Sequence, residues 1–241
     1  MFENIIKNVH NRHPLIHCIT NYVSINDCAN IVLACGGAPI MAEDINEVSQ
    51  ITSICQGLDI NIGMLNDNKL SSMLKAGATA NELGIPVILD PVGAGSSDYR
   101  IKAVQNLMSN VQFGVIRGNV SEIKAIAAKQ GIHNIAAGVY ETMQKNKSAM
   151  GVEAGIADKI TDDNIKEMAD FINKLSQKTG AVIAVTGRID MVADENRVYA
   201  IRNGHKMMSL VTGAGCQLSA LTSAYVAADK EHILELSLIH I

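Results

Sequence analysis

The chain has 241 residues, 48% of them hydrophobic, and a formal net charge of −4, which excludes a disordered chain and provides for a sizeable core. Aromatic residues make up only 3% and basic residues form no run, so we expect no nucleic-acid partner. Since Met1–His10 lacks the apolar core of a signal peptide and no apolar run reaches the roughly 18 residues of a membrane span, we expect a cytoplasmic protein.

Short apolar runs alternate with amphipathic stretches along the chain. Strands are predicted at Leu15–Ile19, Ala38–Met41, Leu58–Gly63, Val87–Leu89, Phe113–Ile116 and Ala181–Val185, with a hairpin of Asp190–Ala193 and Arg197–Ile201. Helices are predicted at Ile25–Leu33, Ile45–Ile54, Leu70–Leu83, Ile101–Met108 and Gln217–Ala228. Another helix is predicted to begin after a cap at Asn119 or Ser121. A further helix is predicted to run from a cap at Thr161 or Asp162 to near Gly180. The apolar pattern weakens over residues 131–158, which predicts a loop or an irregular insertion there. The alternation predicts one α/β domain with a mostly parallel sheet covered by helices on both faces.

A glycine-rich stretch, Val211–Cys216, leads into the last predicted helix. Its small side chains allow a ligand to approach the backbone, and the free N–H groups at a helix start favour an anion. Cys216 falls in the first turn, where a thiol pKa tends to be lowered. The stretch predicts an anion pocket with a polarisable side chain at its mouth. The alternative is a glycine-rich turn with a buried structural cysteine.

Polar side chains follow several predicted strands, at the edge where ligands bind in parallel sheets. Asp90 ends one strand, Arg117 is followed by Asn119 and Glu122, and Thr186 ends another. Together with the glycine stretch, these groups fit a site for a metal ion and phosphate. Each has another interpretation: Asp90 as a turn residue, Asn119 as a helix cap, Glu122 as a first-turn acid, Arg117 as a surface charge, and Thr186 with Gly187 as an ordinary turn.

Other kinds of site are excluded by what the sequence lacks. The five cysteines include no C-x-x-C pair, which argues against a disulfide framework and a structural zinc site. No P-loop, G-x-G-x-x-G, H-E-x-x-H or G-x-S-x-G motif is present. The seven histidines are scattered, and His17, within an apolar strand, is predicted to be a core or rim residue rather than a ligand.

Seven short motifs occur in order between residues 14 and 228. They are C-I-T-N (18–21), P-I-M-A (39–42), N-I-G (61–63), D-P-V-G-A-G (90–95), I-R-G-N (116–119), V-T-G (185–187) and T-G-A-G-C (212–216). With this combination the chain resembles the hydroxyethylthiazole kinase family, the thiamine-salvage branch of the ribokinase-like superfamily. The resemblance implies that residues 1–241 form a single ribokinase-like three-layer sandwich. It also implies ATP- and Mg²⁺-dependent phosphorylation of the hydroxyl of 4-methyl-5-(2-hydroxyethyl)thiazole.

The resemblance also implies a role for each matching position. Substrate-binding residues would be Asn21, Met41, Gly213 and Cys216; ATP-binding residues Arg117, Asn119 and Thr186; and Mg²⁺ ligands Asp90 and Glu122. The N–H groups of Gly213, Ala214, Gly215 and Cys216 would hold the migrating phosphoryl group, and Cys216 stands where many relatives carry an aspartate base. The family forms homotrimers with active sites between subunits, so Asn21 is expected to reach the adjoining subunit's substrate.

Two features depart from the family pattern. The chain stops abruptly after Glu231–Ile241, which favours a truncated or foreign carboxyl end, and residues 131–150 form a longer segment than in relatives. Three other functions stay open at this point. They are a kinase for hydroxymethylpyrimidine, a dehydratase of hydrated nicotinamide cofactors, and a degenerate binding protein. The first two normally carry an aspartate at the position of Cys216.

Overall fold

The computed structural model describes residues 2–132 and 159–237. Its strands are β1 Leu15–Ile19, β2 Ala38–Ile40, β3 Gly57–Asn61, β4 Val87–Asp90, β5 Val115–Asn119, β6 Val182–Thr186, β7 Asp190–Ala193 and β8 Val198–Ile201. They form one sheet in the order β2-β1-β3-β4-β5-β6-β7-β8. Neighbours from β2 to β6 are parallel, and the β6-β7-β8 edge is antiparallel. The mostly parallel sheet and its terminal hairpin are confirmed.

Helices connect the parallel strands. They are α1 Phe2–Arg12, α2 Ile25–Ala34, α3 Val48–Ile54, α4 Asp67–Glu82, α5 Asp98–Asn110, α6 Val120–Lys129, α7 Ile165–Thr179, α8 Ala214–Ala228 and α9 Ile233–Leu236, with a 3-10 helix at Lys206–Leu210. The predicted irregular segment, 131–158, lies outside the described residues beyond Ile132. None of the helices within those residues is both long and apolar enough to cross a membrane.

The sheet is the middle of three layers, as predicted. Helices α3 to α7 bury their apolar faces against one side, where Met73, Leu107 and Phe171 join one large core with Leu58 and Leu89. Helix α8 covers the other side, in contact with β1, β3 and β4 and flanked by α1 and α2. Each helix has an apolar stripe, and the sheet has two apolar faces. Helices packed on both sides of the sheet bury the stripes and the faces together.

Local hydrogen bonds set several helix ends. The side chain of Asn66 accepts from the Lys69 N–H at 2.8 Å and begins α4. Helix α7 ends at Gly180, whose φ is +71°, as predicted. The predicted cap of that helix at Thr161 or Asp162 was wrong. The cap is Asn164, which accepts from the Thr161 N–H at 2.8 Å and so tightens the preceding turn instead of starting the helix.

Two element boundaries differ from the prediction in a way that affects the site. Strand β5 begins at Val115 rather than Phe113 and continues through its polar residues, because Asn119 still pairs with Thr186 of β6. Helix α8 begins at Ala214 rather than Gln217. The glycine-rich stretch is therefore itself the start of the helix, and Cys216 lies within the first turn.

The alternation of β3 has an unusual outcome. Apolar Leu58 and Ile60 face the large core, and the polar side chains of Asp59 and Asn61 face α8, yet every residue of the strand is buried. Because α8 covers this second face, the polar side chains cannot reach bulk water. Asn61 binds Asp90, whereas the Asp59 carboxyl has no hydrogen-bond partner among the described residues.

Candidate functional site

The amino end of α8 lies over the carboxyl ends of the central strands. Gly213 is its N-cap residue, with a φ of +75°. A Cβ atom there would lie 2.6 Å from the Cβ atom of Ser24, so neither the backbone nor the packing accepts a larger residue. A Cβ atom at Gly215 would meet Arg117 only at an ordinary 3.5 Å. The first position is thus a glycine because of its backbone angle and its contact with Ser24, and a Cβ atom at the second would lie in van der Waals contact with Arg117.

The first turn of α8 presents backbone N–H groups. The Gln217 N–H donates to the Gly213 carbonyl at 2.9 Å, which is the first helical bond. The N–H groups of Gly215 and Cys216 precede it, and such groups have no carbonyl partner within their own helix. The helix dipole adds partial positive charge at the same place. The geometry suits an anion.

A chain of buried amides leads from Cys216 into the sheet. The Asn21 Nδ2 atom donates to the Cys216 sulfur at 3.1 Å and lies 3.2 Å from Asn61 Oδ1. The Asn61 Nδ2 atom donates to Asp90 Oδ2 at 2.8 Å. Ser24 holds Asn21 in turn, because its N–H and hydroxyl both donate to the Asn21 amide oxygen. The sequence analysis placed Asn21, Cys216 and Asp90 in one site, and the structure brings them together through Asn61.

Arg117 connects the glycine stretch with the central carboxylate. Its Nη1 atom donates to the Gly215 carbonyl at 2.8 Å and lies 4.0 Å from Asp90 Oδ2. Ser219 lies between them and donates to Asp90 Oδ2 at 2.9 Å. Arg117 is only 5% exposed, so its interpretation as a surface charge is wrong. The turn interpretation of Asp90 is wrong as well, because its side chain binds β3 and α8.

Thr186 lies at the half-buried end of β6. Its hydroxyl is 3.4 Å from Arg117 Nη2 and 3.5 Å from the Gly118 carbonyl, which are long contacts. The Gly187 N–H donates to Asp190 Oδ1 at 2.7 Å and turns the chain into β7. The Thr186 hydroxyl is therefore held loosely, facing Arg117.

Asn119 and Glu122 form a capping box at the start of α6. The Asn119 side chain accepts from the Glu122 N–H at 2.9 Å, and Glu122 Oε2 accepts from the Asn119 N–H at 2.8 Å. The other carboxylate oxygen, Oε1, accepts from the Gly93 N–H at 2.8 Å, in the loop after Asp90. The interpretation of this pair as a helix cap and first-turn acid is confirmed. Its geometry also fixes the Glu122 carboxylate close to Asp90.

Burial of several carboxyl groups shapes the electrostatics of the site. Burial, followed by repulsion from Asp90, raises the pKa of Glu122 to about 7. Burial raises the pKa of Asp90 as well, although Arg117, Ser219 and Asn61 oppose the shift. A cation beside these two carboxyls would favour their charged forms against the effect of burial.

The expected lowering of the Cys216 pKa at a helix start was wrong. Burial raises the pKa of the thiol, and repulsion from Asp90 raises it further, against weaker hydrogen bonds from Ser24, Asn61 and Asn21. Desolvation and a nearby carboxylate therefore outweigh the helix dipole here. The sulfur is a neutral thiol at neutral pH.

Met41 and His17 lie next to this region, directly after β2 and within β1. Met41 is half-buried and packs against the apolar cluster that contains Cys28 and Cys216. His17 is fully buried, with Nδ1 2.9 Å from the Thr52 hydroxyl and Nε2 2.8 Å from the Ala42 carbonyl. The prediction that His17 is a core residue is confirmed, and it supports the loop that follows Met41.

The sequence analysis gave no role to three residues that organise the site. Asn61 and Ser219 both bind Asp90, and Arg100 of α5 donates to the carbonyls of Ile62 and Gly63, beyond β3. Asn61 could have been predicted from the sequence, because a polar residue at the end of a buried strand is typical of a site residue. The others lie on helices, where serine and arginine are unremarkable.

The carboxyl groups do not form a metal site by themselves. Across residues 2–132 and 159–237, no group of three or more His, Cys, Asp or Glu side chains is placed to bind an ion. Mg²⁺ typically takes one or two carboxylates and completes its coordination with water and substrate phosphates. Asp90 and Glu122 provide that kind of donor set.

Comparison with known proteins gives one consistent result. A sequence model described as the Hydroxyethylthiazole kinase family matches residues 6–240. The chain is 51% identical to a hydroxyethylthiazole kinase from Clostridium acetobutylicum, covering 99% of this chain and 81% of the relative. It is 43% identical to one from Methanobrevibacter smithii, covering 94% and 75%.

Solved structures agree with the sequence comparison. A hydroxyethylthiazole kinase protein from Pyrococcus horikoshii superposes with a TM-score of 0.82 at 32% identity, covering 99% of this chain and 80% of that one. A phosphomethylpyrimidine kinase from Clostridium difficile gives a TM-score of 0.60 at 13% identity, covering 94% and 98%. The second likeness shows a shared fold alone.

Proposed function

This chain belongs to the hydroxyethylthiazole kinase family, and we propose that it transfers the terminal phosphoryl group of ATP to the primary alcohol of 4-methyl-5-(2-hydroxyethyl)thiazole. The reaction would serve thiamine biosynthesis or salvage. The observation that carries the proposal is the contact of Arg117 with Gly215, 2.8 Å from Nη1 to the carbonyl oxygen. This contact holds the glycine-rich helix start beside Asp90. Phosphoryl transfer requires such an arrangement, in which an anion site and a metal-binding carboxylate lie next to each other.

ATP would lie across the ends of β5 and β6, against Arg117, Thr186 and Asn119. The loosely held Thr186 hydroxyl supports a phosphate contact, because it has no short competing bond. The Arg117 Nε atom is buried without a partner among the described residues. A buried donor of this kind is costly unless a ligand or water satisfies it. We therefore assign the positive charge beneath the phosphates to Arg117.

Mg²⁺ would be held by Asp90 and Glu122. The fit rests on the donor set, because Asn61 and Ser219 fix the Asp90 carboxyl and the Gly93 N–H fixes that of Glu122. Burial raises the pKa of both carboxyls, and a cation beside them would favour their charged forms. When bound, the ion would supply positive charge beside the phosphates of ATP. Asn119 would contribute indirectly, by fixing the orientation of the Glu122 carboxylate.

Catalysis would depend on alignment and on charge stabilisation at the start of α8. The N–H groups of Gly213, Ala214, Gly215 and Cys216 would receive the migrating phosphoryl group, whose charge is spread over its oxygens. Asn21, Met41 and Gly213 would place the thiazole so that its hydroxyl lies beside Cys216. A rigid arrangement of this kind lowers the barrier by removing the entropy cost of bringing the reactants together.

The role of Cys216 follows from its neutral thiol. In a loose transition state the alcohol proton leaves late, so a weak acceptor close to the hydroxyl contributes modestly. The Asn21 amide donates to the sulfur and fixes its position. We therefore propose that Cys216 positions the hydroxyl by accepting its hydrogen bond, and that the proton itself passes to an oxygen of the transferred phosphoryl group, because a neutral thiol has no basic site to take it.

We also propose a homotrimer with active sites between subunits. Large apolar side chains are exposed beside the site, including Tyr22 at 53%, Val23 at 66% and Leu210 at 81%. Exposed apolar surface of this kind indicates an interaction site. Light scattering would give three times the chain mass if the proposal holds.

The five cysteines are free, which supports a reducing, cytoplasmic location.

An assay of ATP consumption tests the activity. The thiazole alcohol, hydroxymethylpyrimidine and hydrated NADH are offered separately, and the phosphorylated product is identified by mass spectrometry. We expect turnover with the thiazole alcohol alone. Turnover confined to the pyrimidine or to the hydrated cofactor would overturn the proposal, and folded protein inactive on all three would indicate a degenerate binding protein.

A further inference from the structure

Lys69 is a buried cation that no step of the proposed reaction uses. It lies in the first turn of α4, and only 2% of its side chain is exposed. A buried ammonium is costly unless it is paired, and the amino end of a helix is an unfavourable place for positive charge. The contacts that offset this cost indicate what the side chain holds in place.

Two loops converge on the Lys69 ammonium. Its Nζ atom donates to the carbonyl of Thr20, in the loop after β1, and lies 2.8 Å from Oε2 of Glu43, in the loop after β2. The ring of Tyr22 stacks against the same ammonium, with its centroid 4.5 Å from Nζ. The Tyr22 hydroxyl donates to Oε1 of Glu43. Ammonium, ring and carboxylate therefore form a closed set of contacts that joins the loops.

Glu43 is ionised in this arrangement. Burial works to raise its pKa, but hydrogen bonds from Lys69 and Tyr22 outweigh burial, and the pKa lies below its ordinary value. The link between the loops is thus a salt bridge with a buried cation at one end. Its carboxylate end is 40% exposed, which leaves Glu43 accessible to substitution.

Each linked loop carries one residue assigned to the substrate. Asn21 directly follows Thr20, and its amide holds the Cys216 sulfur at 3.1 Å. Met41 lies just before Glu43 and packs against the cluster that contains Cys216. A shift of either loop would change the distance from Asn21 to Met41 and the position of the alcohol between them.

We propose that Lys69 is a positioning residue for the thiazole alcohol, a role that rests on the proposed function for the identity of that substrate. Its ammonium fixes the separation of the two loops and thereby sets where Asn21 and Met41 meet the alcohol. ATP, held at β5 and β6 on the other side of α8's start, does not depend on this link.

The test is the variant Lys69→Met, which keeps the length of the side chain and removes its charge. The variant leaves the Glu43 carboxylate without its partner, but that side chain is 40% exposed. Water can therefore solvate the remaining charge, and we expect folded protein. Lys102→Met is the matched control, because Lys102 is exposed on α5. We expect the KM for the alcohol to rise about tenfold in Lys69→Met, with the KM for ATP within about twofold of wild type. Lys102→Met should change neither constant.

Hydrogen exchange gives a readout that needs no activity. In Lys69→Met we expect amide exchange to increase in residues 20–24 and 41–45 and to stay unchanged in residues 214–228. Folded Lys69→Met with unchanged alcohol KM and unchanged loop exchange would overturn the proposal. So would equal rises in both KM values with a uniform increase in exchange, because these would mean general destabilisation. If wild-type protein fails to phosphorylate the alcohol, the proposed function fails, and the exchange experiment still tests the link between the loops.

A second variant keeps the test independent of the folding of Lys69→Met. Glu43→Gln retains the shape of a half-exposed side chain and removes the charge partner. We expect it to raise the alcohol KM about threefold, and to add little to the effect of Lys69→Met in the double variant, because both act on one link. Fully additive effects would contradict the proposal.

Discussion

The side-chain amide of Asn21 donates a hydrogen bond to the sulfur of Cys216, with 3.1 Å between Nδ2 and Sγ. This contact joins the loop after β1 to the first turn of α8, across residues far apart in the sequence. A donor that points at the sulfur would stabilise a thiolate, yet burial and Asp90 raise the thiol pKa. The contact therefore fixes the position of a neutral sulfur.

Replacing Cys216 separates positioning from proton transfer. We predict that Cys216→Ala lowers kcat about tenfold and leaves measurable activity, less than the roughly 10²–10⁴-fold loss typical of an efficient general base. Cys216→Asp should keep or raise kcat, because a carboxylate accepts the proton more readily at neutral pH. Steady-state kinetics at about pH 7, where the thiol is neutral, would measure both. Wild-type turnover in Cys216→Ala would exclude a role as base.

Two glycines with similar backbone angles allow a matched test of the helix start. Gly213 has φ +75° and no room for a Cβ atom, whereas Gly84 has φ +63° and nothing within 4 Å. A left-handed conformation costs an alanine about 1–2 kcal/mol at either site. We predict that Gly213→Ala lowers the stability by this amount and, in addition, lowers kcat/KM by about a hundredfold or more. The second effect is expected because the new Cβ atom would clash with Ser24 and the first turn of α8 must move.

Gly84→Ala is the control for that experiment. It should lower the melting temperature but leave kcat/KM within about twofold of wild type, since its loop leads into the opposite end of β4. Equal losses of activity in the two variants would mean that backbone strain, and not the geometry of the anion site, explains the effect.

Asp59 is predicted to destabilise the protein at neutral pH. Both of its carboxyl oxygens are buried without a partner among the described residues. Burial, then repulsion from Asp90, raises its pKa well above the ordinary value. A carboxyl with a higher pKa in the folded state binds more protons when folded, so its favourable contribution is present at low pH and is lost as the pH rises through the folded pKa.

The variant Asp59→Asn tests this, because an amide of the same size does not titrate. We expect its gain in unfolding free energy over wild type to grow from near zero at about pH 4 to about 1–3 kcal/mol at about pH 8. Urea denaturation at several pH values would measure it, with Asp163→Asn at an exposed position as control. A gain that does not change with pH would contradict the assignment.

Glu122 should make metal binding depend on pH near neutrality. Burial and Asp90 raise its pKa to about 7, so its carboxylate becomes protonated below that pH. Since a metal ligand must be deprotonated, we predict that lowering the pH from about 8 to about 6 weakens the apparent Mg²⁺ affinity about tenfold.

The measurement is the Mg²⁺ dependence of turnover at each pH. Glu122→Gln should bind Mg²⁺ more weakly throughout and show a flatter pH dependence, while Glu82→Gln, at an exposed position on α4, should behave as wild type. Identical Mg²⁺ dependence of the wild-type protein at the two pH values would argue against Glu122 as a ligand.

Much of the fold was predictable because it depends on local patterns. The buried strand at Val87–Asp90 and the helix stop at Gly180 follow from apolar runs and from the conformational freedom of glycine. The cap of α7 was not predictable, because Thr161, Asp162 and Asn164 are all good cap residues. The structure decides between them, because the helical backbone begins at Ile165 and makes Asn164 the N-cap residue.

The candidate site, like the fold, has features that local sequence patterns predict and features that they do not. Carboxylates, an arginine and a glycine-rich helix start occur along the sequence in the order typical of one kinase family, and this order can be read from short local motifs. The three-dimensional structure adds that Asp90 meets Ser219, that Arg117 binds the Gly215 carbonyl, and that Lys69 joins two loops. It also reversed the expected pKa shift of Cys216. The physical reason is that hydrogen bonds, burial and charge repulsion depend on distances between residues far apart in the chain, which no local pattern contains.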